Sequence, residues 1–365
     1  MGKRIAILLP DLRGGGAERM HLPLAAEWSR HGFEVTFVVL RARGELLPLL
    51  PPGVRVRELK AAHFRGALHP LVRWLRAERP HVLLAAMWPL TVIAVIGARI
   101  ARTQTRVVVS DHTLLSRGYA GYGVAHRALL RTSLACVYPF ADVRIGVSQG
   151  VAEDLAELSG LSRERFEVVP NPAEIVAAHE PVPPELTRVR GPLIISVGTL
   201  KKVKNHALLI EAFARIDASF NATLCILGEG GERAALERLI GARGLDGRVL
   251  LPGFRADPGA YYRRADLFVL SSDYEGFGNV LVEALAHGVP VVSTDCPGGP
   301  REVLDHGRHG TLVPCNDPDA LAAAMTRALQ VPHDRAALRA RAAEFSVERV
   351  ALRYLELLCP MERAA

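Results

Sequence analysis

Two α/β domains, each built on a doubly wound parallel sheet, are predicted from three observations on the sequence. Short apolar segments alternate with longer amphipathic ones, a proline-rich stretch interrupts this alternation near residue 170, and the alternation then resumes. Such alternation indicates β-α-β units, which form parallel sheets covered by helices on both faces. The chain of 365 residues is long enough for two domains of ordinary size.

The first half contains strand candidates separated by helical stretches. The first strand ends at Pro10, and the helix that follows it ends at His31 and Gly32. The apolar stretch from Val82 to Ala98 is short for a membrane span and contains Pro89, so it predicts a buried strand followed by a helix. The predicted strands of this half are 4–9, 34–40, 82–86, 106–110 and 143–147.

Prolines at 170, 172, 181, 183 and 184 indicate a linker between two Rossmann-like domains. We predict an N-terminal domain over 1–170, a linker over 171–190, a C-terminal domain over 191–343 and a final helical segment over 344–365 that packs back towards the N-terminal domain. A ligand cleft is expected between the carboxyl ends of the two sets of strands. The predicted strands of the second half are 193–197, 222–227, 248–251, 267–270 and 289–293.

Composition and charge indicate the cellular compartment and the kind of partner to expect. The apolar run Ile5 to Leu9 is too short for a signal-peptide core, and the five cysteines form no CxxC pair, so we expect a cytoplasmic protein with reduced thiols. Residues 1–170 hold 23 Lys/Arg against 14 Asp/Glu, a net charge of +9, whereas the whole chain carries +7. The basic half favours an anionic partner, although an arginine-rich solvated surface would look the same.

The segment from Ser271 to Gly288 carries the strongest chemical signal, because it joins a hydrophobic strand to a helix that Gly288 ends. Gly276 and Gly278 leave backbone N–H groups uncovered at the helix N-terminus, which favours an anionic or oxygen-rich ligand. Glu275 in the loop and Glu283 one turn into the helix can accept hydrogen bonds from diols. The alternative is a capping role for Glu275 and a solvated charge for Glu283.

A second segment, Val197 to Asn205, places three lysines between a strand and a helix. A cation fixed here would stabilise a departing diphosphate more strongly in the transition state than in the ground state. The GxxxxGK[ST] pattern is absent, so this is not a Walker-type loop. The alternative is a solvated lysine surface.

Two further segments follow strands of the first half. Gly14, Gly15 and Gly16 form a turn that would let a ligand approach the backbone, but they do not make GxGxxG. His112 lies at the end of a strand and can serve as an acid, a base or a hydrogen-bond donor. No histidine pair or carboxylate cluster has metal-ligand spacing, so no metal site is predicted.

These segments, in this order, resemble the retaining glycosyltransferases of the GT-B fold, the large E-x7-E family that includes sucrose synthase and bacterial mannosyl and hexosaminyl transferases. Glu275 and Glu283 have the E-x7-E spacing, and the start at Gly14 and the turn from Gly228 to Gly230 support the resemblance. It covers nearly the whole chain. It implies two Rossmann-like domains, the first binding the acceptor and the second binding the nucleotide sugar.

The resemblance also implies individual roles. Lys204 would bind the diphosphate, Glu275 would contact the donor sugar, and His112 would lie near that sugar. Glu283 would bind the ribose and Phe254 the base. Further donor contacts are implied for Gly15, Gly16, Thr199, Asn205, Gly276, Phe277, Gly278, Asn279 and Val280. Many relatives carry an arginine where this chain has Thr199. Either Lys201 or Lys202 compensates for it, or Lys204 and the helix amides hold the phosphate.

The expected reaction is transfer of a hexose or N-acetylhexosamine from a nucleotide diphosphate sugar, UDP-linked by preference, to a hydroxyl acceptor with retention at the anomeric carbon. No cofactor beyond this co-substrate is expected. A nucleotide-sugar epimerase of the same fold is one alternative, and a basic nucleic-acid-binding protein is another. No nucleic-acid partner is expected, because the basic residues lack the interleaved aromatics that stack on bases.

The acceptor is expected on the N-terminal domain. Residues 55–79 contain seven Lys/Arg against Glu58 and Glu78, which favours peripheral contact with the anionic inner face of a membrane. A lipid-linked or lipopolysaccharide-type acceptor would fit such contact.

Overall fold

The computed structural model describes residues 3–173 and 183–360, and the chain forms two compact units. Unit 1 comprises Met1–Pro172 together with Ser346–Ala365, and unit 2 comprises Ala173–Phe345. Part of the predicted linker, including Pro181, lies outside the described residues.

Unit 1 is built on a parallel sheet of seven strands in the order β3-β2-β1-β4-β5-β6-β7. Its central strands are apolar on both faces, as expected of a parallel sheet that helices cover on both sides. The seven strands are β1 Arg4–Leu9, β2 Glu34–Val39, β3 Arg55–Glu58, β4 Val82–Ala86, β5 Arg106–Asp111, β6 Val143–Gly146 and β7 Glu167–Val168.

The helices of unit 1 connect successive strands. Ser148 caps one of them by accepting a hydrogen bond from the Val151 amide at 3.2 Å, and Gly160 ends the same helix with a φ of +70°. In chain order they are α1 Gly16–Arg30, α2 Leu68–Glu78, α3 Leu90–Ala101, α4 Leu115–Gly118, α5 Val124–Val137 and α6 Gln149–Ser159.

Unit 2 repeats this architecture with a parallel sheet of six strands in the order β10-β9-β8-β11-β12-β13. Its strands are β8 Leu193–Val197, β9 Thr223–Leu227, β10 Val249–Gly253, β11 Leu267–Leu270, β12 Val291–Thr294 and β13 Thr311–Val313. Its helices are α7 His206–Phe213, α8 Arg233–Ala242, α9 Gly259–Arg264, α10 Asn279–Ala286, α11 Pro300–Val303, α12 Pro318–Gln330 and α13 Arg335–Ala343. The prediction of two Rossmann-like α/β domains is therefore confirmed.

The last helix, α14 Val347–Leu358, packs within unit 1 against α1. The indole Nε1 of Trp28, which is fully buried, donates to the Ala351 carbonyl at 3.1 Å. The buried face of α14 consists of Val350, Ala351, Tyr354 and Leu358. Leu352 lies on another face of this helix and is 41% exposed.

Candidate active site

The strand order of unit 2 reverses at β8, whose neighbours are β9 and β11. In an open parallel sheet, ligands bind at the carboxyl edge where the order reverses, because the loops that follow the two central strands diverge there. The loop after β8 contains Lys204, and the loop after β11 contains Glu275. The two strongest sequence segments therefore meet at the switch point.

Lys204 and Glu275 form an ion pair, with Lys204 Nζ 2.6 Å from Glu275 Oε1. The Ser272 hydroxyl donates to the same carboxylate oxygen, also at 2.6 Å. The side chains of Lys204 and Glu275 are 22% and 10% exposed. Low exposure strengthens the electrostatic interaction between the two side chains. The two donors hold the Glu275 carboxylate in place within the loop, so Glu275 is not a capping residue.

Backbone and side-chain hydrogen bonds join the two loops. The Asp273 amide donates to the Val203 carbonyl at 2.8 Å, and the Ser271 hydroxyl donates to the Lys204 carbonyl at 2.9 Å. Asn205, with a φ of +45°, caps α7 by accepting from the Leu208 amide, and its Nδ2 donates to Asp273 Oδ1 at 2.8 Å. Lys204 is thus held on a rigid turn, and Asn205 has a structural role in that turn.

Helix α10 begins directly after Gly278, whose φ of +94° favours glycine. Phe277 is 3% exposed and packs edge-on against the Phe345 ring, so this residue can meet a ligand only through its backbone. The start of a helix carries the positive end of its dipole and backbone N–H groups that can hydrogen-bond an anion. Gly276, Asn279 and Val280 lie at the same helix start, as predicted.

Glu283 is half-buried, and its Oε2 accepts a hydrogen bond from the Tyr262 hydroxyl at 2.9 Å. Tyr262 is buried and stacks on His287 with a ring-centroid distance of 5.2 Å. Burial, followed by the charge of Glu283, raises the pKa of Tyr262 well above its usual range, so the hydroxyl remains a donor. The alternative of a solvated helix charge for Glu283 does not hold.

The other predicted residues of unit 2 lie along the same carboxyl edge. Thr199 is exposed in the loop after β8, and Phe254 is 59% exposed directly after β10, two strands away from β8. Gly228 approaches Gly198 so closely that a Cβ on Gly228 would lie 1.9 Å from the Gly198 carbonyl oxygen. The neighbouring loops therefore pack closely only because residue 228 lacks a side chain.

In unit 1, Gly15 ends the loop after β1 and Gly16 is the first residue of α1. His112 follows β5, and its two ring nitrogens lie 3.3 Å from Ser110 Oγ and 3.2 Å from Asn171 Oδ1. Burial lowers the pKa of His112 to about 3. The imidazole is therefore neutral near pH 7 and suits hydrogen bonding better than proton transfer.

Three contributors escaped the sequence analysis: Ser272, Tyr262 and Asp273. Ser272 and Asp273 lie inside the segment that carries Glu275, but no spacing rule assigns them a partner. Tyr262 comes from a separate helix, so its contact with Glu283 exists only in the folded chain. Within the described residues, no group of three His, Cys, Asp or Glu side chains could hold a metal ion.

The fold and this site define a class, the glycosyltransferases of the GT-B fold, and the comparisons with known proteins agree. Residues 183–345 match the family described as glycosyl transferases group 1, and residues 14–175 match the family described as glycosyltransferase family 4. The chain therefore belongs to the glycosyltransferases, which is the first of the three functions considered from the sequence. Among the described residues, no helix is long and apolar enough to cross a membrane.

Three individual proteins show the extent of the similarity. The N-acetylgalactosamine-N,N'-diacetylbacillosaminyl-diphospho-undecaprenol 4-alpha-N-acetylgalactosaminyltransferase of Campylobacter jejuni is 32% identical over 265 residues, or 71% of this chain and 72% of that enzyme. The lipopolysaccharide core biosynthesis glycosyltransferase LpsE of Rhizobium meliloti is 29% identical over 366 residues, or 95% and 96% of the two chains. The crystal structure of Anabaena HepE in complex with UDP-glucose has a TM-score of 0.79 at 23% identity, covering 97% of this chain and 99% of that one.

Proposed function

We propose that this glycosyltransferase moves a hexose or N-acetylhexosamine from a UDP-sugar to a hydroxyl acceptor, with retention at the anomeric carbon. The observation that carries the proposal is the Lys204–Glu275 ion pair beside the N-terminus of α10. A cation, a carboxylate and a helix N-terminus at one switch point suit a ligand that carries both sugar hydroxyl groups and a diphosphate.

Lys204 is the proposed cation for the leaving group. An ammonium group has three hydrogens, and its bond to Glu275 uses one of them, so the same group can donate to diphosphate oxygens. As the sugar–phosphate bond breaks, the diphosphate gains negative charge, and a preformed cation stabilises that charge without reorganisation. The departing oxygen takes the proton of the acceptor hydroxyl, and the acceptor oxygen bonds to the anomeric carbon on the face that the diphosphate leaves, which gives retention.

The two glutamates bind the two ends of the donor in this proposal. Glu275 Oε1 accepts from Lys204 and Ser272, which leaves Oε2 to accept from sugar hydroxyl groups. Glu275 thereby positions the sugar and need not act as a nucleophile. Glu283, oriented by Tyr262, binds the ribose, and Phe254 lies against the base. The backbone from Gly276 to Val280 contacts sugar and phosphate.

Thr199 and Asn205 are the further donor contacts proposed on the loop after β8. The donor contacts that the resemblance implies for Gly15, Gly16 and His112 of unit 1 stay predictions; for His112, the lowered pKa is consistent with a neutral hydrogen-bonding group. Neither a metal ion nor another cofactor has a role in the proposed reaction. The chelator experiment described in the Discussion tests that part of the proposal.

The relatives support the choice of donor and acceptor. The matched HepE structure holds UDP-glucose, the Campylobacter jejuni enzyme is named for a diphospho-undecaprenol substrate, and LpsE is named for lipopolysaccharide core biosynthesis. We accordingly propose a lipid-linked or lipopolysaccharide-type acceptor and peripheral association with the cytoplasmic face of a membrane. The net charge of +7 favours an anionic surface.

A thermal-shift screen of UDP-, GDP- and ADP-sugars tests the donor. Ligand at 100 times its Kd stabilises the folded state by about 2.7 kcal/mol, so the correct donor should raise Tm measurably. NMR of the product with the identified donor then reports the anomeric configuration. An inverted product would refute the retaining mechanism, and stabilisation by no UDP-sugar would refute the choice of donor.

A further inference from the structure

Helix α5 in unit 1 has an unusually exposed apolar surface. Of its fourteen residues, only Leu130 and Leu134 are buried. These two leucines are four residues apart and define the inward face, while Val124 is 74% exposed and Leu129 is 55% exposed. The exposed side also carries Ala125, Ala128, Ala135 and Cys136.

A cluster of aromatic residues lies at the N-terminal end of this helix. Tyr122, which is 53% exposed, stacks on His126 with a ring-centroid distance of 4.7 Å. Tyr119 and Trp88 pack behind them at centroid distances of 5.2 Å from Tyr122 and 5.4 Å from His126, respectively. Tyr122 is therefore a supported, outward-facing aromatic residue of the kind that sits at membrane interfaces.

The charged residues of α5 and of the segment just before it are all arginines, whereas α6, which packs against α5, exposes Glu153 and Glu157. From His112 to Ala141 the sequence contains no Asp or Glu, and it contains Arg117, Arg127 and Arg131. All three arginines are exposed, and no salt bridge to a described carboxylate is formed by any of them. On a surface that only had to face water, such arginines would ordinarily alternate with carboxylates.

We infer that α5, together with Tyr122, is the surface by which this protein docks on an anionic lipid bilayer. Exposed apolar side chains can enter the boundary between headgroups and acyl chains, while the arginines meet lipid phosphates. The helix is about 21 Å long at 1.5 Å per residue, which suits it to lie in the plane of the interface. The inference rests on the proposed membrane association and assigns that association to a surface.

The basic segment 55–79 has a different character. Arg55 pairs with Glu34 at 2.6 Å, and Arg76 donates to the Ile100 carbonyl at 2.9 Å. Most large apolar side chains of α2 are buried, Leu68 is half-buried, and Phe64, at 40%, is the most exposed large hydrophobic residue of the segment. The segment thus offers charge with little apolar surface to insert, and it supplies a matched control for α5.

Vesicle flotation of the full chain tests the inference, with phosphatidylcholine vesicles alone or mixed with phosphatidylglycerol. We expect binding to the anionic vesicles only, weakened by salt. The R127Q/R131Q variant should bind about 30-fold more weakly, at about 1 kcal/mol for each arginine. The uncharged V124S/L129Q variant should lose about tenfold or more, because it removes the inserted side chains. The control R57Q/R73Q should stay within about threefold of wild type.

Unchanged Tm values would show that the α5 variants are folded. Wild type that fails to float with phosphatidylglycerol vesicles, or V124S/L129Q that floats as well as wild type, would overturn the inference. A wild-type dimer that V124S/L129Q converts to a monomer would also overturn it, because a second copy would then cover α5. UDP-sugar thermal shifts of the same variants test the proposed function separately from the proposed membrane surface. If UDP-sugars do not shift the Tm of wild type, the proposed function is refuted, whereas the flotation result still stands.

Discussion

Replacing Lys204 with methionine removes the ammonium group 2.6 Å from Glu275 and keeps a side chain of similar length. Two effects are expected. If Lys204 stabilises the leaving diphosphate, kcat should fall by about 10²- to 10³-fold, as when one preformed electrostatic partner is removed from an active site. KM for the donor should change less, because the interaction strengthens as the bond breaks.

Stability should fall as well, because Glu275 keeps its charge and loses its counterion. Breaking a buried ion pair costs about 3–5 kcal/mol, and an exposed pair contributes about 0–1 kcal/mol. With the side chains 22% and 10% exposed, a loss of about 2 kcal/mol is reasonable. For a unit of this size, that corresponds to a decrease in Tm of about 4–8 °C.

Steady-state kinetics with the identified UDP-sugar, together with calorimetry, measures both effects. The double variant K204M/E275Q should regain part of the lost stability, since no unpaired charge remains, yet stay inactive. Lys202→Met is the matched control, because Lys202 is exposed on the same loop. A K204M enzyme with kcat/KM within about threefold of wild type would refute the leaving-group role. A strong effect of Lys202→Met would instead show that Lys202 compensates for Thr199.

The remaining predictions concern the ribose contact, metal dependence and pH. Tyr262→Phe removes the hydrogen bond to Glu283 and should raise KM for the donor about tenfold with little change in kcat. The control is Tyr261→Phe, which removes a hydroxyl that donates to Glu185 instead. Equal effects of the two variants would contradict the role given to Tyr262. Activity should persist in EDTA, and loss that Mg²⁺ or Mn²⁺ restores would contradict the metal-free proposal. As the pH falls from 6.5 to 5, the fully buried His21 should lower the free energy of unfolding by about 1.4 kcal/mol per pH unit. Burial lowers the pKa of this histidine in the folded state from 6.5 to about 4, so only the unfolded state takes up a proton in this range. His21→Gln should therefore show a smaller decrease in Tm over this range than wild type, although Asp111, whose pKa burial raises to about 6, opposes the trend in both.

The sequence predicted the strands that dominate the cores of the two units, and β4, β8 and β11 have the predicted bounds. These strands are continuous apolar runs bounded by turn residues, so local pattern and final burial agree. Strand β3 was missed because it reads Arg-Val-Arg-Glu and lies at the edge of its sheet, where only one side is paired. Strands β7 and β13 are two and three residues long, too short to show a period.

The candidate site divides in the same way. Glu275 and Lys204 could be singled out because each lies in a loop that follows an apolar strand. Their 2.6 Å contact joins residues 71 positions apart, and it follows from strand order, which no local pattern contains. The membrane contact predicted at 55–79 stays a prediction: the sequence shows the arginines there, and only the structure shows which apolar side chains are exposed beside them.

The position of α14 has a consequence for biosynthesis. Unit 2 is one uninterrupted stretch of chain, whereas the core of unit 1 needs Tyr354 and Leu358 to pack beside Trp28. A ribosome makes residue 358 only after all of unit 2. During synthesis, the core of unit 1 therefore lacks the side chains of α14 beside α1 until unit 2 has been translated. The order of synthesis and the order of completion are thus reversed, because α14, translated after all of unit 2, completes the core of unit 1.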